Sequence, residues 1–412
     1  MYNVIWDIET GGVLLSDSAK DSLNVEIRPV FYEELDLLGF NQQWIYPECQ
    51  EPLLWATAGR RYFYHGELVA EARGGGFFEK PQIEFYQKNL TLKPVQLDKM
   101  IIKNAAILEG LAQDTIEFIL DTHVKYQKKV DIFAVAFSGG KDSLVLLDLV
   151  QRTLSPDEFV VVFSDTTMEI TPTLESVEKS KKRWNHLSFY TAKSVKDAVT
   201  TWQEFGPPSR IHRWCCTVHK SAPTLLTLRD IVGKPSVKAL VFDGIRWTES
   251  QARAGYNMIT DGGKHNAQIN ASPILKWNAA EVFLYLFQRD IFLNSAYRYG
   301  FVRVGCGVCP FTSNWSETIC SSAFKKDIDK FIDIVKGYSY KKEIDEKEIE
   351  KYINQGGWKR RAGGRDLDIG GNKVLENIDN NSLKFSIRNP YEEWLEWAKT
   401  LGKVNKSGHD AG

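Results

Sequence analysis

From residue 131 onward the chain alternates two hydrophobic rhythms. Short, almost unbroken apolar runs occur at 132–137 (Ile-Phe-Ala-Val-Ala-Phe), 159–163 (Phe-Val-Val-Val-Phe) and 237–242 (Val-Lys-Ala-Leu-Val-Phe). Runs of this length, rich in β-branched and aromatic residues, read as strands buried on both faces. Between them the pattern predicts helices near 144–150, 172–184 and 195–204, with a short strand at 187–190. Strands alternating with helices predict an α/β fold, a doubly wound parallel sheet with helices on both sides. Ligands of such sheets bind beyond the carboxyl ends of the strands, so the loops starting at Ser138, Ser164 and Asp243 are expected to meet.

The flanking regions read differently. Residues 1–95 form a small, mostly β N-terminal module, with two short strands at 60–70 around a His65-Gly66 turn and Gly74-Gly75-Gly76 closing that section. Residues 96–130 make a linking helix, in which Leu108, Leu111, Ala112, Ile116 and Ile119 recur at three- and four-residue steps. Residues 131–312 carry the α/β pattern, and 313–412 a helical extension. That extension is charged over 325–351, basic and Gly-rich over 356–365, and polar from 405 to 412. There is no internal repeat.

With 412 residues and 43% hydrophobic content, the chain can bury a large core in two or three domains. A formal charge of −1 excludes a polyelectrolyte-style nucleic-acid binder, while leaving room for local basic patches. Twelve tryptophans argue against long disordered stretches. No run approaches the roughly 18 apolar residues of a membrane span, and the first residues do not lead into a signal peptide. A cytoplasmic protein without membrane attachment is expected. Six dispersed cysteines do not form a secreted disulfide framework.

The chemistry concentrates in three places. Ser138-Gly139-Gly140-Lys141-Asp142-Ser143 follows the first buried strand directly and opens the first helix. Glycines let the backbone approach an anion, and the free N–H groups of the first helical turn point at it. Lys141 adds a mobile positive charge, and the Ser138 and Ser143 hydroxyls add donors. The spacing is not that of the Walker loop. After the second strand, Asp165 either caps the following helix or accepts from ribose hydroxyls and helps hold Mg²⁺. After the third, Gly244-Ile245-Arg246 and, further on, Arg253 place two guanidinium forks suited to phosphate or sulfate, with Glu249 able to orient one. On residue type alone, the alternative is a surface ion-pair network on a helix. The third place is a cysteine set. Cys215-Cys216 and Cys306-x-x-Cys309 supply four thiolates for one [4Fe–4S] cluster or one zinc, amid Arg210, His212, Arg213, His219 and Lys220. The adjacent pair is awkward for a zinc knuckle. Cys49 and Cys320 lack such partners and read as structural thiols.

The Ser138–Ser143 motif resembles the PP-loop of the adenine nucleotide alpha-hydrolase superfamily. A Cys-Cys pair, a long gap and a Cys-x-x-Cys behind that loop look like the cluster motif of assimilatory adenylyl-sulfate reductases in the phosphoadenosine phosphosulfate reductase family. The Asp165 loop, the Gly-x-Arg-x-x-Glu-Ser-x-x-Arg stretch from Gly244 to Arg253, and Pro273-Ile274-Leu275-Lys276-Trp277 share the likeness, which covers roughly residues 100–320. Two departures stand out. The Glu-Cys-Gly tail motif of the true reductases is absent, and the phosphate loop is complete rather than degenerate. The complete loop is similar to that of iron–sulfur ATP pyrophosphatases, such as the enzyme of DNA phosphorothioation and certain tRNA thiolases.

The resemblance implies ATP or adenylyl sulfate as substrate, with Ser138, Gly139, Gly140, Lys141, Asp142, Ser143, Asp165, Gly244, Arg246 and Arg253 around the nucleotide. Lys141, Asp142 and Arg246 would act in catalysis, with Mg²⁺. Cys215, Cys216, Cys306 and Cys309 would hold a [4Fe–4S] cluster. The expected activity is cleavage at the α-phosphate, releasing pyrophosphate to support sulfur transfer. The alternative is thiol-dependent reduction of adenylyl sulfate or its 3′-phosphorylated form to sulfite. Expected partners are the adenine nucleotide and a thiol, electron or sulfur donor protein. A third reading, a nucleic-acid or partner-binding protein with a silent nucleotide site, rests on aromatic–basic mixtures at Trp55, Arg60, Arg61, Tyr62 and Tyr64 and at Trp358-Lys359-Arg360-Arg361.

Overall fold

The front of the chain opens with an antiparallel hairpin, β1 (Asn3–Asp7) and β2 (Gly12–Ser16). A five-stranded antiparallel sheet follows in the order β3 (Ile27–Val30), β4 (Leu54–Thr57), β5 (Arg61–Tyr64), β6 (Glu67–Gly74) and β7 (Pro81–Phe85), with helix α1 (Tyr32–Leu38) inserted after β3. The β5–β6 hairpin turns on His65 and Gly66, both at positive φ (48° and 84°), which is the backbone a two-residue turn needs to match strand twist. Described by this computed structural model are residues 1–360 except 19–22, 24–25, 58–59, 251–252, 262–267 and 342–343, and the backbone of a hairpin at Val374–Asp379 and Ser382–Ile387. Gln251, Ala252, the basic run from Arg361 to Arg365 and the polar tail lie outside the described residues.

Helix α2 (Leu97–Tyr126) packs its apolar face on β2 and on the helices of the next layer. The buried Asn104 side chain accepts from Leu15 N (2.8 Å) and donates to Val13 O (3.0 Å), satisfying backbone groups that β2 leaves unpaired. The long helix and the first hairpin are thereby one packed unit.

The α/β region contains β8 (Ile132–Phe137), α3 (Lys141–Thr153), β9 (Val160–Asp165), α4 (Thr171–Arg183), β10 (Phe189–Lys193), α5 (Ala198–Phe205), the short α6 (Trp214–Cys216), α7 (Ala222–Val232), β11 (Ala239–Phe242), β12 (Ile259–Asp261), β13 (Gln268–Ala271) and α8 (Ala279–Gln288). The sheet order is β10-β9-β8-β11-β13-β12. Its first five strands are parallel, and β12 pairs antiparallel with β13 at the edge, a departure from the all-parallel expectation. Successive residues alternate between two cores. Phe133, Val135 and Phe137 face the thick layer of α2, α3 and α8, while Ala134, Val162, Ala192 and Val241 face the thinner layer under α7. Small residues on one face let α7 lie close, and large ones on the other fill the space under three helices. Helix α8 escapes the periodicity reading because it is buried nearly all round, Ala279 to Leu286 without a polar stripe.

Beyond the sheet, α9 (Asn314–Ala323), α10 (Lys325–Lys341) and α11 (Glu346–Asn354) pack with α5 and the front sheet in a second core that includes Trp202, Phe331 and Trp358. The expected single charged helical stretch is two helices, broken near residue 344. Among the described residues, no helix is long and apolar enough to cross a membrane.

One buried ion pair of the front region lies at its contact with the rest of the chain. Glu34, on α1, is fully buried and grips Arg28 of β3 in a two-point contact (2.5 and 2.7 Å), while Tyr62 donates to the same carboxylate at 2.8 Å. Gly300 (φ 96°) passes so close that an added Cβ would lie 2.6 Å from the Glu34 carboxyl carbon. Removing one member of a buried pair leaves the other charge uncompensated. Glu34→Ala is therefore expected to cost about 3–5 kcal/mol of stability, read as the shift in a urea midpoint at unchanged slope.

Candidate nucleotide and cysteine site

The parallel strands run 3-2-1-4-5 in sheet order, counting β8 as the first, so the order reverses between β8 and β11. That reversal opens the crevice where α/β sheets bind ligands, and both flanking loops carry expected site residues. After β8, Gly139 takes φ 69°, and a Cβ there would sit 3.1 Å from the Thr173 carbonyl of α4, so a side chain is excluded by both conformation and space. Gly140 is the extended N-cap of α3. The turn is held from several sides. Ser176 Oγ and Asn294 Nδ2 both donate to Gly139 O (2.8 and 2.9 Å), Ser143 Oγ donates to Gly140 O (2.9 Å), and Ser138 N donates to Ser143 Oγ (3.3 Å). The Tyr297 hydroxyl accepts from Lys141 N at 3.1 Å.

Lys141 is not the mobile cation expected from the sequence. Its side chain is 1% exposed, bonded to Asp142 Oδ2 at 2.7 Å and lying 5.5 Å from the Tyr297 ring centre. Burial lowers its pKa, an effect that Asp142 partly offsets. Asp142 Oδ1 accepts from Arg246 Nε at 2.7 Å. Burial alone would raise the Asp142 pKa, but Lys141 and Arg246 outweigh it and hold the carboxyl at about 2.

Arg246, 2% exposed, uses every nitrogen: Nε on Asp142, and the terminal nitrogens on Glu26 (3.1 and 3.2 Å), with Thr248 Oγ1 and Trp277 O also accepting. Burial pulls its pKa down, but the two carboxylates overcome this and raise it. It is a clamp between three segments rather than an open phosphate fork. Gly244 permits the approach, since a Cβ there would lie 3.1 Å from the Asp142 carbonyl carbon. Arg253 pairs with Glu249, which also accepts from Arg246 N and faces Arg303 at 3.7 Å. Burial and the Arg303 charge lower the Arg253 pKa.

Asp165 ends β9, accepts from Thr167 N (2.9 Å) and pairs with Lys193 (2.9 Å). The Ser138 and Asp243 loops meet through Asp142 and Arg246, as expected. The Ser164 loop turns elsewhere, because β8 separates β9 from β11. It joins the cysteine loop instead. Glu169 bridges Cys306, Gly307 N donates to Met168 O (2.7 Å), and Cys306 Sγ lies 3.6 Å from Thr166 Oγ1.

The four expected cysteines come from two directions, Cys215 and Cys216 on α6 and Cys306 and Cys309 on the loop before α9. They share one electrostatic neighbourhood. Cys215 is raised by its bond to Cys216, by burial and by the Cys306 and Cys309 charges. Burial pushes Cys306 up to about 12 despite Lys220, and Cys309 is raised by burial and by Cys216. Among the described residues no three His, Cys, Asp or Glu side chains stand at metal-holding spacing. The donor chemistry nonetheless suits a thiolate-ligated centre, four sulfurs in one field with a lysine beside them. Cys320 lies apart, buried in α9 and pushed up to about 12 by burial, and Cys49 donates to Glu51 O in the front region.

The match to known proteins coincides with this region. The family model described as the phosphoadenosine phosphosulfate reductase domain covers residues 132–312. These residues belong to that family. An uncharacterised protein of Methanocaldococcus jannaschii is 32% identical over 268 residues, 64% of this chain and 53% of its own length, so the chain spans about half of that relative. The adenosine 5'-phosphosulfate reductase of Bacillus velezensis is 25% identical over 182 residues, covering 43% of this chain and 73% of that enzyme. Among solved structures, the phosphoadenylyl-sulfate reductase of Candida auris aligns with 50% of the chain and 94% of its own at 19% identity and TM-score 0.36.

Three residues of the crevice were not anticipated, Glu26, Asn294 and Tyr297, and Asp243 was expected only as the start of its loop. Asp243, which accepts from Asn270 Nδ2 (2.8 Å) and Ser272 Oγ (2.6 Å), was open to inference as the first residue past a buried strand. The others have no local signal and are brought in from segments 100 or more residues away from the motifs they touch.

His219, three residues beyond the cysteine pair, is fully buried with Nε2 2.8 Å from Thr201 Oγ1, and burial lowers its pKa to about 4 despite Asp197. The folded ring stays neutral where the unfolded ring, near 6.5, takes a proton. The stability this neutrality provides is complete above pH 6.5 and is lost as pH falls towards 4, a loss of about 3 kcal/mol. His219→Gln should flatten that part of the pH–stability curve measured by denaturant melts.

Proposed function

We propose that the chain is an iron–sulfur enzyme that cleaves ATP at the α-phosphate, releasing pyrophosphate and passing the adenylyl group to an acceptor that then receives sulfur. The observation that carries this reading is the complete glycine turn at the sheet's reversal point, braced by Ser176 and Asn294 on Gly139 O and by Tyr297 on Lys141 N. Amides at the start of α3 and the Ser138 hydroxyl would face the phosphates, where the helix dipole favours negative charge. As the bond between the α-phosphorus and the bridging oxygen breaks, charge grows on the leaving pyrophosphate, and Mg²⁺ entering with the nucleotide would neutralise it. Lys141 and Arg246 sit in a neutral cluster with Asp142 and Glu26 that fixes the shape of the loop, and Arg253 stands at the same edge. Cys215, Cys216, Cys306 and Cys309 would hold a [4Fe–4S] cluster, which when bound supplies a centre able to carry electrons or sulfur.

A second reading, thiol-dependent reduction of adenylyl sulfate to sulfite, is favoured by the likeness to the Bacillus velezensis enzyme. Anaerobically purified protein given ATP and Mg²⁺ should release pyrophosphate and AMP in equal amounts. Sulfite from adenylyl sulfate plus a dithiol, with no pyrophosphate from ATP, would replace the first reading by the second. Lys141→Ala is expected to lower pyrophosphate release about 10–100-fold, the rate equivalent of one charge-assisted contact, and to lower the urea midpoint as well, because it leaves a buried carboxylate uncompensated. Cys306→Ser should lose iron, sulfide and visible absorbance. Wild-type protein that is colourless under strict anaerobiosis and carries stoichiometric zinc would refute the cluster assignment.

A further inference from the structure

Three segments around the cysteine loops contain no acidic residue at all: 206–220, 300–316 and 351–360. In a chain whose charge nearly cancels, this is a marked local imbalance. The fold draws the three together. Arg210 N donates to Lys359 O (2.9 Å), Arg210 Nε donates to Pro310 O (3.1 Å), and the Arg213 guanidinium stacks over the Phe311 ring at 4.5 Å. Lys359 does not add to the surface charge, because it is buried against Glu317. Arg210, Arg213 and Arg360 are exposed, and so, against the usual hydrophobic rule, are Phe311 (51%) and Ile211 (70%). The result is a basic rim with an aromatic ring standing in solvent, one residue past Pro310 and two past Cys309.

We infer that this rim is a docking surface for single-stranded nucleic acid. Guanidinium forks match phosphodiester oxygens in two-point contacts. A solvent-facing ring paired with an arginine offers an unstacked base a platform, a feature that an acidic protein partner would not use. Duplexes keep their bases stacked inside, so the ring selects single strands. The surface lies outside the nucleotide crevice and does not depend on turnover there.

The test uses the full-length protein with its metal content intact and a fluorescein-labelled 20-nucleotide RNA, with the DNA of the same sequence and a duplex as comparisons, read by anisotropy over a salt series. Single strands should bind, with log affinity falling against log salt at a slope of about −2, the value for three neutralised phosphates. R213E/R360E should weaken binding at least tenfold and flatten the slope to about −0.7. F311A should weaken it about fivefold or more at an unchanged slope, which separates stacking from charge. K128E, a charge change in the exposed turn after α2, should alter neither. Thermal melts of each variant identify any loss of fold, and F311A together with R213E alone keeps the test decisive if the double variant melts early. Absence of salt-sensitive binding, equal binding of duplex and single strand, or wild-type affinity in R213E/R360E would overturn the inference. So would binding of poly-glutamate in place of RNA, which would assign the rim to an acidic protein.

Discussion

Four charged side chains, Lys141, Asp142, Arg246 and Glu26, form one buried chain of ion pairs at the point where the sheet order reverses. Isolated ions are too costly to bury, and this set persists because two cations and two carboxylates alternate and leave no charge unmatched. Each comes with a backbone attached: the phosphate loop with Lys141 and Asp142, the β11 loop with Arg246, and the front of the chain with Glu26. Neutrality of the cluster therefore fixes three segments against one another. It also makes the front region part of the crevice wall, because without Glu26 the two terminal nitrogens of Arg246 would lose their carboxylate partner.

The layering of the sheet explains why the crevice opens where it does. Large side chains of β8, β9 and β11 fill the space beneath α2, α3 and α8, while small ones on the opposite face admit α7 closely. At the carboxyl ends of β8 and β11, glycines at 139 and 244 keep the two loops within contact of α4 and of Asp142. Tyr297 and Asn294 then reach in from the segment after α8 and hold the turn by its own polar groups. A loop stabilised in this way keeps its shape before any ligand arrives, which is the condition for binding an anion without an ordering cost.

What the sequence made legible follows from which properties are local. Strand, double glycine and helix N-terminus are properties of neighbouring residues, so the loop at 138–143 and the strands beside it could be read directly. The cysteine pairs were legible as two local motifs, although their approach to the β9 loop through Thr166 and Met168 was not. Lys141 was misjudged as mobile because burial depends on Phe283 and Tyr297, more than 100 residues away. Helix α1 was missed because its buried Glu34 breaks the apolar stripe, and that residue makes sense only beside Arg28. α8 was missed for the opposite reason, having no polar stripe to set a period.

The β9 loop links the two halves of the proposed chemistry. At its start Asp165 is fixed by Thr167 N and Lys193, and Thr167, held at φ 58°, anchors the N-terminus of α5 by accepting from Ala198 N at 2.7 Å. At its far end Met168 and Glu169 pair with Gly307 and Cys306. Gly307 has no room for a side chain, since an added Cβ would stand 2.9 Å from Ile328 and 3.0 Å from Ile170. A displacement of the cysteine loop must therefore move the backbone that ends β9, the strand directly beside the one that carries the phosphate loop. Lys220, whose pKa is raised chiefly by Cys306 and also by Glu169, ties the segment after the Cys215–Cys216 pair electrostatically to both partners of the Glu169–Cys306 bridge. The cysteine loop and the β9 loop are thus held in register by one backbone bridge and one lysine charge.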